Sequence, residues 1–330
     1  MEKLIECVPN YSEGCDHSVI DAIVGAIASV EGVRVLHVDP GQAANRTVVT
    51  FVGAPEAVVE AAFRGSAMAQ ERIDMRRHHG THPRIGATDV LPLVPVSGVS
   101  LEECARLARG LAKRMFEELG IPCYCYEAAA FSPERRNLAV CRAGEYESLR
   151  EKMANSARRP DFCGAWDERA ARSGASVVGA RNFLIAVNFN LDTKDAALAS
   201  EVAMDVREKG RKLPDGSWLR GPLKGCKAIG WYIEEYGIAQ VSMNVTDIAA
   251  TPLHVAYETV CRSASARGLR VTGTEIIGLV PRQVLLDAGR HFLQKPDAGE
   301  EELVQAAVRG MALDDLCPFD PHRKVIEYQL

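Results

Sequence analysis

The second half of the chain most constrains the fold. NFLIAVNFNL (182–191) reads as a strand, and KDAALASEVAMDVREKG follows with helical spacing. CKAIGWYIEEYGIAQVSMNVTD is two strands around a short turn that includes Gly237. PLHVAYETVCRSASARG is a helix stopped at Gly268, and LRVTGTEIIGLV returns to strand. The order is βαββαβ, the split-βαβ plan of an antiparallel sheet with helices on one face.

The first half repeats that order. KLIECVPNY is a strand, HSVIDAIVGAIASV (17–30) a helix, VRVLHVD (33–39) and TVVTFVG (47–53) two strands, and 54–74 an Ala-rich helix. VLPLVPV (90–96) is a strand interrupted by proline, which predicts a short or edge strand. A further helix, ended by Gly120, and a strand at PCYCYEAAA follow. The prediction is an α+β chain of two ferredoxin-like subdomains, 1–178 and 179–330, with facing sheets, helices outside and a largely helical tail after 280. Residues 131–178 are less regular and predict long functional loops. A crevice between two sheet faces would suit a ligand.

The formal net charge is −5, with no basic excess, which argues against a nucleic-acid partner. No apolar run reaches the roughly 18 residues of a membrane span, and MEKLIECVPNYSEG lacks the layout of a signal peptide, so a cytoplasmic protein without a membrane partner is expected. The ten cysteines include no C-x-x-C pair, which predicts free and mostly buried thiols.

RRHHGTHPRIGATDV (76–90) concentrates the chemistry, with His78, His79 and His82 close together. His78 and His82 have helical metal-ligand spacing, but Gly80 and Pro83 argue for a loop, and no H-E-x-x-H or cysteine pair completes a shell. No metal is expected. Solvated surface positions suit His78 and His79. His82 is the candidate acid–base group, since an imidazole both takes and gives a proton near neutrality. Pro83 holds it in extended backbone. Asp89 is a candidate to fix its tautomer and Arg84 to hold a carboxylate.

LIECVPNYSEG, HVDPGQAANRTVVTFVG, HPRIGATDV, RAGEYE, GARNFLIAVNFNL, KAIGWYIEE, QVSMNVTD, IIGLVP and LDDLCPF together resemble the glutamate formimidoyltransferase family across nearly the whole chain. The resemblance implies transfer of a formimidoyl group from N-formimidoyl-L-glutamate to tetrahydrofolate, a co-substrate, in histidine degradation. It implies two subdomains around a folate tunnel, and it maps the family's catalytic histidine onto His82. It also implies Asp39 as a partner in the site, with an Asp that starts a turn after a strand as its alternative, and a folate loop spanning Cys163, Gly164, Ala165, Trp166 and onward to Gly174. The chain is expected to lack the cyclodeaminase part found in bifunctional members; a homodimer and a separate cyclodeaminase are possible partners by the same resemblance.

Asn10, in VPNYSEG, is a candidate for polar ligand contacts, with an ordinary turn residue as its alternative. Both substrates are anionic, so Arg46, Arg84 and Arg181 are candidate carboxylate clamps, each with a surface ion pair as the alternative. The stretch 207–227 has seven Lys or Arg against two acids; it is either a solvated loop or a lane for a polyglutamylated folate tail. Formyl transfer from formylglutamate, formimidoylglycine as donor, and a non-catalytic folate-binding role remain competing readings.

Overall fold

The computed structural model describes residues 3–329, and the chain divides into two units, Met1–Asn182 and Phe183–Leu330. It is a mixed α+β protein with a sheet in each unit.

The first unit runs β1 (Leu4–Cys7), β2 (Asn10–Tyr11), α1 (His17–Ala28), β3 (Val33–Gly41), β4 (Arg46–Gly53), α2 (Pro55–Arg72), β5 (Thr88–Ser97), α3 (Leu101–Arg114), β6 (Cys123–Glu127), α4 (Leu138–Arg142), α5 (Leu149–Ala154), α6 (Glu168–Ser173) and β7 (Ser176–Ala180). Local chemistry sets the helix ends. Asp16 caps α1 by accepting the Ser18 N–H. Ser100 and Glu103 form a capping box on α3. Gly120, at φ +73°, stops the extension of that helix in a conformation that favours glycine.

In the sheet, β3 pairs with β4, β4 with β1 and β2, and these with β5, all antiparallel; β7 and then β6 extend it in parallel. One face packs on α1, α2 and α3 through Ile5, Phe51, Leu91, Cys125 and Val178. Register and strand alternation place Asp39, Val48, Asn10, Val90, Val177 and Tyr124 in a row across the other face. Arg46 joins that face, two residues before Val48 on β4. Where the row reaches β5, β7 and β6, the segment 131–175 covers it with Cys141, Leu149, Met153 and Ala170.

Two expectations need correction. The prolines of VLPLVPV do not mark an edge: β5 has ten residues and lies inside the sheet. Its missing donors fall where the ladder is already interrupted. The Pro92 carbonyl accepts the Val8 N–H where β1 gives way to β2, and Pro95 adjoins the bulged Val96. The irregular stretch 131–178 also ends in a strand. SVVGA forms β7, buried throughout and flanked by parallel neighbours, so it shows a short apolar run without alternation.

The second unit runs β8 (Ile185–Leu191), α7 (Ala196–Val206), β9 (Arg211–Lys212), β10 (Trp218–Leu219), β11 (Cys226–Ile233), β12 (Ile238–Val245), α8 (Leu253–Ser265) and β13 (Val271–Ile277), then α9 (Arg282–Leu293) and α10 (Glu300–Gly310) in a helical tail. Its main sheet is ordered β11-β12-β8-β13, the same order as β3-β4-β1/β2-β5 in the first unit. Val187, Phe189, Val241 and Met243 pack on the helices. The opposite face is polar: Gln240 donates to Asn190, Asn188 to Glu275, and the Trp231 indole N–H to Gln240.

Candidate functional site

The histidine loop is held by the turn between β3 and β4. Asn45 occupies the left-handed region at φ +46°, which Asn tolerates better than most residues. Its Oδ1 accepts the Gly14 N–H at 2.9 Å, and its Nδ2 donates to the His79 carbonyl at 2.8 Å. The Thr81 N–H and hydroxyl both donate to the Ala43 carbonyl. A Cβ on Gly80 would lie 2.2 Å from the Ala44 carbonyl oxygen, so this close approach requires glycine.

The three histidines have different surroundings. His79 is exposed. His78 is buried, a correction to the solvated position expected of it. Its Nε2–H donates to the Asn45 carbonyl at 2.8 Å, while Nδ1 accepts from Arg84 Nε at 3.4 Å. Both of its ring nitrogens therefore serve the loop. His82 is half-buried, and its Nδ1 lies 2.8 Å from the Pro83 carbonyl. A carbonyl only accepts, so Nδ1 carries the hydrogen and the basic lone pair of the neutral ring is on Nε2. The Pro83 carbonyl, instead of Asp89, thus fixes the tautomer. Burial, then the Arg46 and Arg142 guanidiniums, pull the His82 pKa down to about 3 against the opposing charge of Asp89.

Asp89 is fully buried at the centre of an ion cluster. Arg46 and Arg142 both donate to its Oδ2, the latter at 2.9 Å, and Oδ1 accepts the Ile85 N–H at 2.7 Å. Burial pushes this carboxyl up, but Arg142, Arg46 and the hydrogen bonds more than offset it and hold it below the ordinary range. Arg46 also donates from Nε to Asn10 Oδ1 at 3.0 Å. The structure therefore brings Asn10, Arg46 and Asp89 together near His82. Asp39 lies on the same sheet face, opposite Val48.

Three other expected residues have different surroundings. The Arg84 fork is filled by Glu147, with Glu145 on the same guanidinium. Gly174, at φ +65°, serves a backbone crossing in which an added Cβ would meet the Ile85 carbonyl oxygen at 2.3 Å. Arg181 follows β7 at the end away from Ser176, roughly 15 Å along the strand from where β7 begins. In the expected folate loop, Gly164 and Ala165 are exposed, and Cys163 and Trp166 half-buried. Trp166 packs near Tyr146, whose N–H donates to the Arg84 carbonyl, so this loop and the histidine loop share a support.

Sequence reasoning missed Arg142 and Lys152. Lys152 is buried and donates to the Cys141 and Ala143 carbonyls on either side of Arg142; burial draws its pKa down to about 8. The detectable signal is RAGEYE, which supplies Arg142, Glu145, Tyr146 and Glu147 but whose spacing alone suggests no role for them. All ten cysteines are free. Among the described residues, no group of three or more His, Cys, Asp or Glu could hold a metal ion, and no helix is long and apolar enough to cross a membrane.

The low His82 pKa predicts an acid effect on stability. Unfolded histidine titrates near 6.5, so between there and about 3 the unfolded state binds more protons, and stability falls as pH is lowered through this window. At pH 5 the loss attributable to this residue is on the order of 1–2 kcal/mol. Urea unfolding at pH 7 and pH 5 should show that increment in the wild type and its absence in His82→Gln. Equal pH sensitivity in both proteins would contradict it.

Comparison with known families gives two matches that together span most of the chain: the formiminotransferase domain, N-terminal subdomain, over residues 4–181, and the formiminotransferase domain over 186–330. A glutamate formimidoyltransferase of Streptococcus pyogenes serotype M1 is 40 % identical, covering 100 % of this chain and 99 % of its own. One from Thermoplasma acidophilum is 42 % identical over 88 % of this chain and 92 % of its own. The formimidoyltransferase-cyclodeaminase of Gallus gallus is 48 % identical over 99 % of this chain but only 60 % of its own, so the chain spans about three-fifths of that relative.

Proposed function

The chain belongs to the formiminotransferase family, and from that premise we propose that it transfers the formimidoyl group of N-formimidoyl-L-glutamate to tetrahydrofolate, giving 5-formimidoyltetrahydrofolate and L-glutamate. The observation that carries this reading is the state of His82: a neutral imidazole with its hydrogen committed to the Pro83 carbonyl and its basic nitrogen at Nε2.

The chemistry asks for a base at this nitrogen; burial and the two guanidiniums leave His82 a weak one, and a carboxylate bound beside Arg46 and Arg142 would raise its pKa toward neutrality. The folate N5 attacks the formimidoyl carbon and sheds a proton, which His82 Nε2 accepts. The same proton goes to the departing glutamate nitrogen as its bond to that carbon breaks, and His82 returns to its starting state. Asp39, on the ligand-side sheet face, stabilises the positive charge of the protonated imine. Asn10 and Arg46 supply polar contacts, while Cys163, Gly164, Ala165 and Trp166 contact folate. Trp166 and Tyr146 offer ring faces suited to a flat heterocycle. Arg84, Asp89 and Gly174 position the loops, and Arg181 contacts the folate tail. The mechanism uses no metal; its partners are small molecules.

The test is an assay of the purified protein with formimidoylglutamate, formylglutamate and formimidoylglycine, each with tetrahydrofolate. The highest kcat/KM is expected for the first. A clear preference for either of the others would replace the donor, and folate binding without any turnover would favour the non-catalytic reading.

A further inference from the structure

Two guanidiniums converge on a single carboxylate oxygen beside His82. Arg46 and Arg142 both donate to Asp89 Oδ2, leaving one positive charge in excess across this trio. Buried like charges in contact are costly without a counter-charge, and one carboxylate neutralises only one of them. Arg142 also buries its Nε–H without a hydrogen-bond partner among the described residues. Its side chain is still 12 % exposed, so solvent reaches one part of it. Excess charge, an unsatisfied donor and partial access are what an anion-receiving group requires. Arg84 offers no such vacancy, because Glu147 already occupies its fork.

We propose that Arg142 is a specificity-determining residue that, with Arg46, receives the α-carboxylate of the donor amino acid beside His82. This rests on the transferase reading, and the chemistry of that donor selects the carboxylate. The nitrogen that carries the formimidoyl group is bonded to the α-carbon, which also carries the α-carboxylate. An imidazole that returns a proton to this nitrogen therefore has the α-carboxylate as its neighbour, while the side-chain carboxylate lies further along a flexible chain. The guanidiniums flanking His82 are positioned for the nearer anion. Lys152 supports the arrangement by holding the carbonyls on both sides of Arg142.

The test compares N-formimidoyl-L-glutamate with 4-(formimidoylamino)butanoate, the same chain without the α-carboxylate. In the wild type, kcat/KM is expected to fall by about tenfold or more on its removal, mainly through KM. Arg142→Gln should impose a similar loss on the parent donor and less than about twofold on the truncated one, with Arg142→Lys recovering part. A wild type that uses both donors equally would overturn the proposal without recourse to any variant. So would an Arg142→Gln protein, folded by circular dichroism, that loses both activities by the same factor. Calorimetry with L-glutamate alone separates this proposal from the reading beneath it. Binding that weakens about tenfold in Arg142→Gln, in a protein that transfers from none of the donors, would keep the anion site and reject the transferase. Normal transfer with glutamate affinity unchanged in the variant would do the reverse.

Discussion

Replacing His82 with alanine is expected to lower kcat by roughly 10²- to 10⁴-fold while the fold and folate affinity persist. The separation follows from how the loop is built. Its backbone is held by Asn45, by the Thr81 bonds to Ala43 and by the Asp89 bond to Ile85, none of which uses the His82 ring. The ring's bond to the Pro83 carbonyl orients the imidazole, and its loss leaves an acceptor at a half-buried position. The measurements are steady-state turnover of formimidoylglutamate and tetrahydrofolate binding by fluorescence titration. A variant that turns over at the wild-type rate would remove His82 from the proton path. One that loses folate binding in the same proportion as turnover would make it a binding residue.

The helical and strand periods made the second unit legible. Phe189 and Val187 face its helices while Asn188 and Asn190 face the other way, an alternation visible in NFLIAVNFNL. The first unit was harder where local rules compete with the sheet. The prolines of β5 break local propensity but occupy interruptions that become visible only when β1, β2 and β5 are paired. β7 is five buried residues long and carries no face contrast to read. At the site, short motifs carried Asn10, Arg46, His82 and Asp89 because turns and strand ends bring these residues together. Arg142 meets Asp89 across 53 positions, and no local pattern encodes such an ion pair. Arg84 shows the converse: proximity in sequence suggested that it would face a ligand with His82, yet folding gives its guanidinium to Glu145 and Glu147.

Asp89→Asn is expected to cost about 3–5 kcal/mol of folding stability, because breaking one partner of a buried ion cluster leaves the other charges uncompensated. The substitution is nearly isosteric, so the change is electrostatic. With the amide oxygen accepting the Ile85 N–H, the amide NH2 replaces Oδ2 and faces Arg46 and Arg142, donor against donors, so both guanidiniums lose their acceptor as well as their counter-charge. Urea unfolding should show a lower midpoint with an unchanged slope. The double variant Asp89→Asn/Arg142→Gln should be less destabilised than the sum of the single variants, since removing Arg142 also removes one of the stranded charges. An Asp89→Asn protein with the wild-type midpoint would show that the two guanidiniums have a sufficient counter-charge elsewhere. Activity should fall along with stability, and for a distinct reason. Asp89 is the negative group opposing Arg46 and Arg142 at His82, so its loss leaves the imidazole neutral while removing the group that aligns both guanidiniums. A fall in kcat/KM without an upward move of the acid limb of the pH profile is therefore the result that assigns Asp89 to positioning instead of proton transfer.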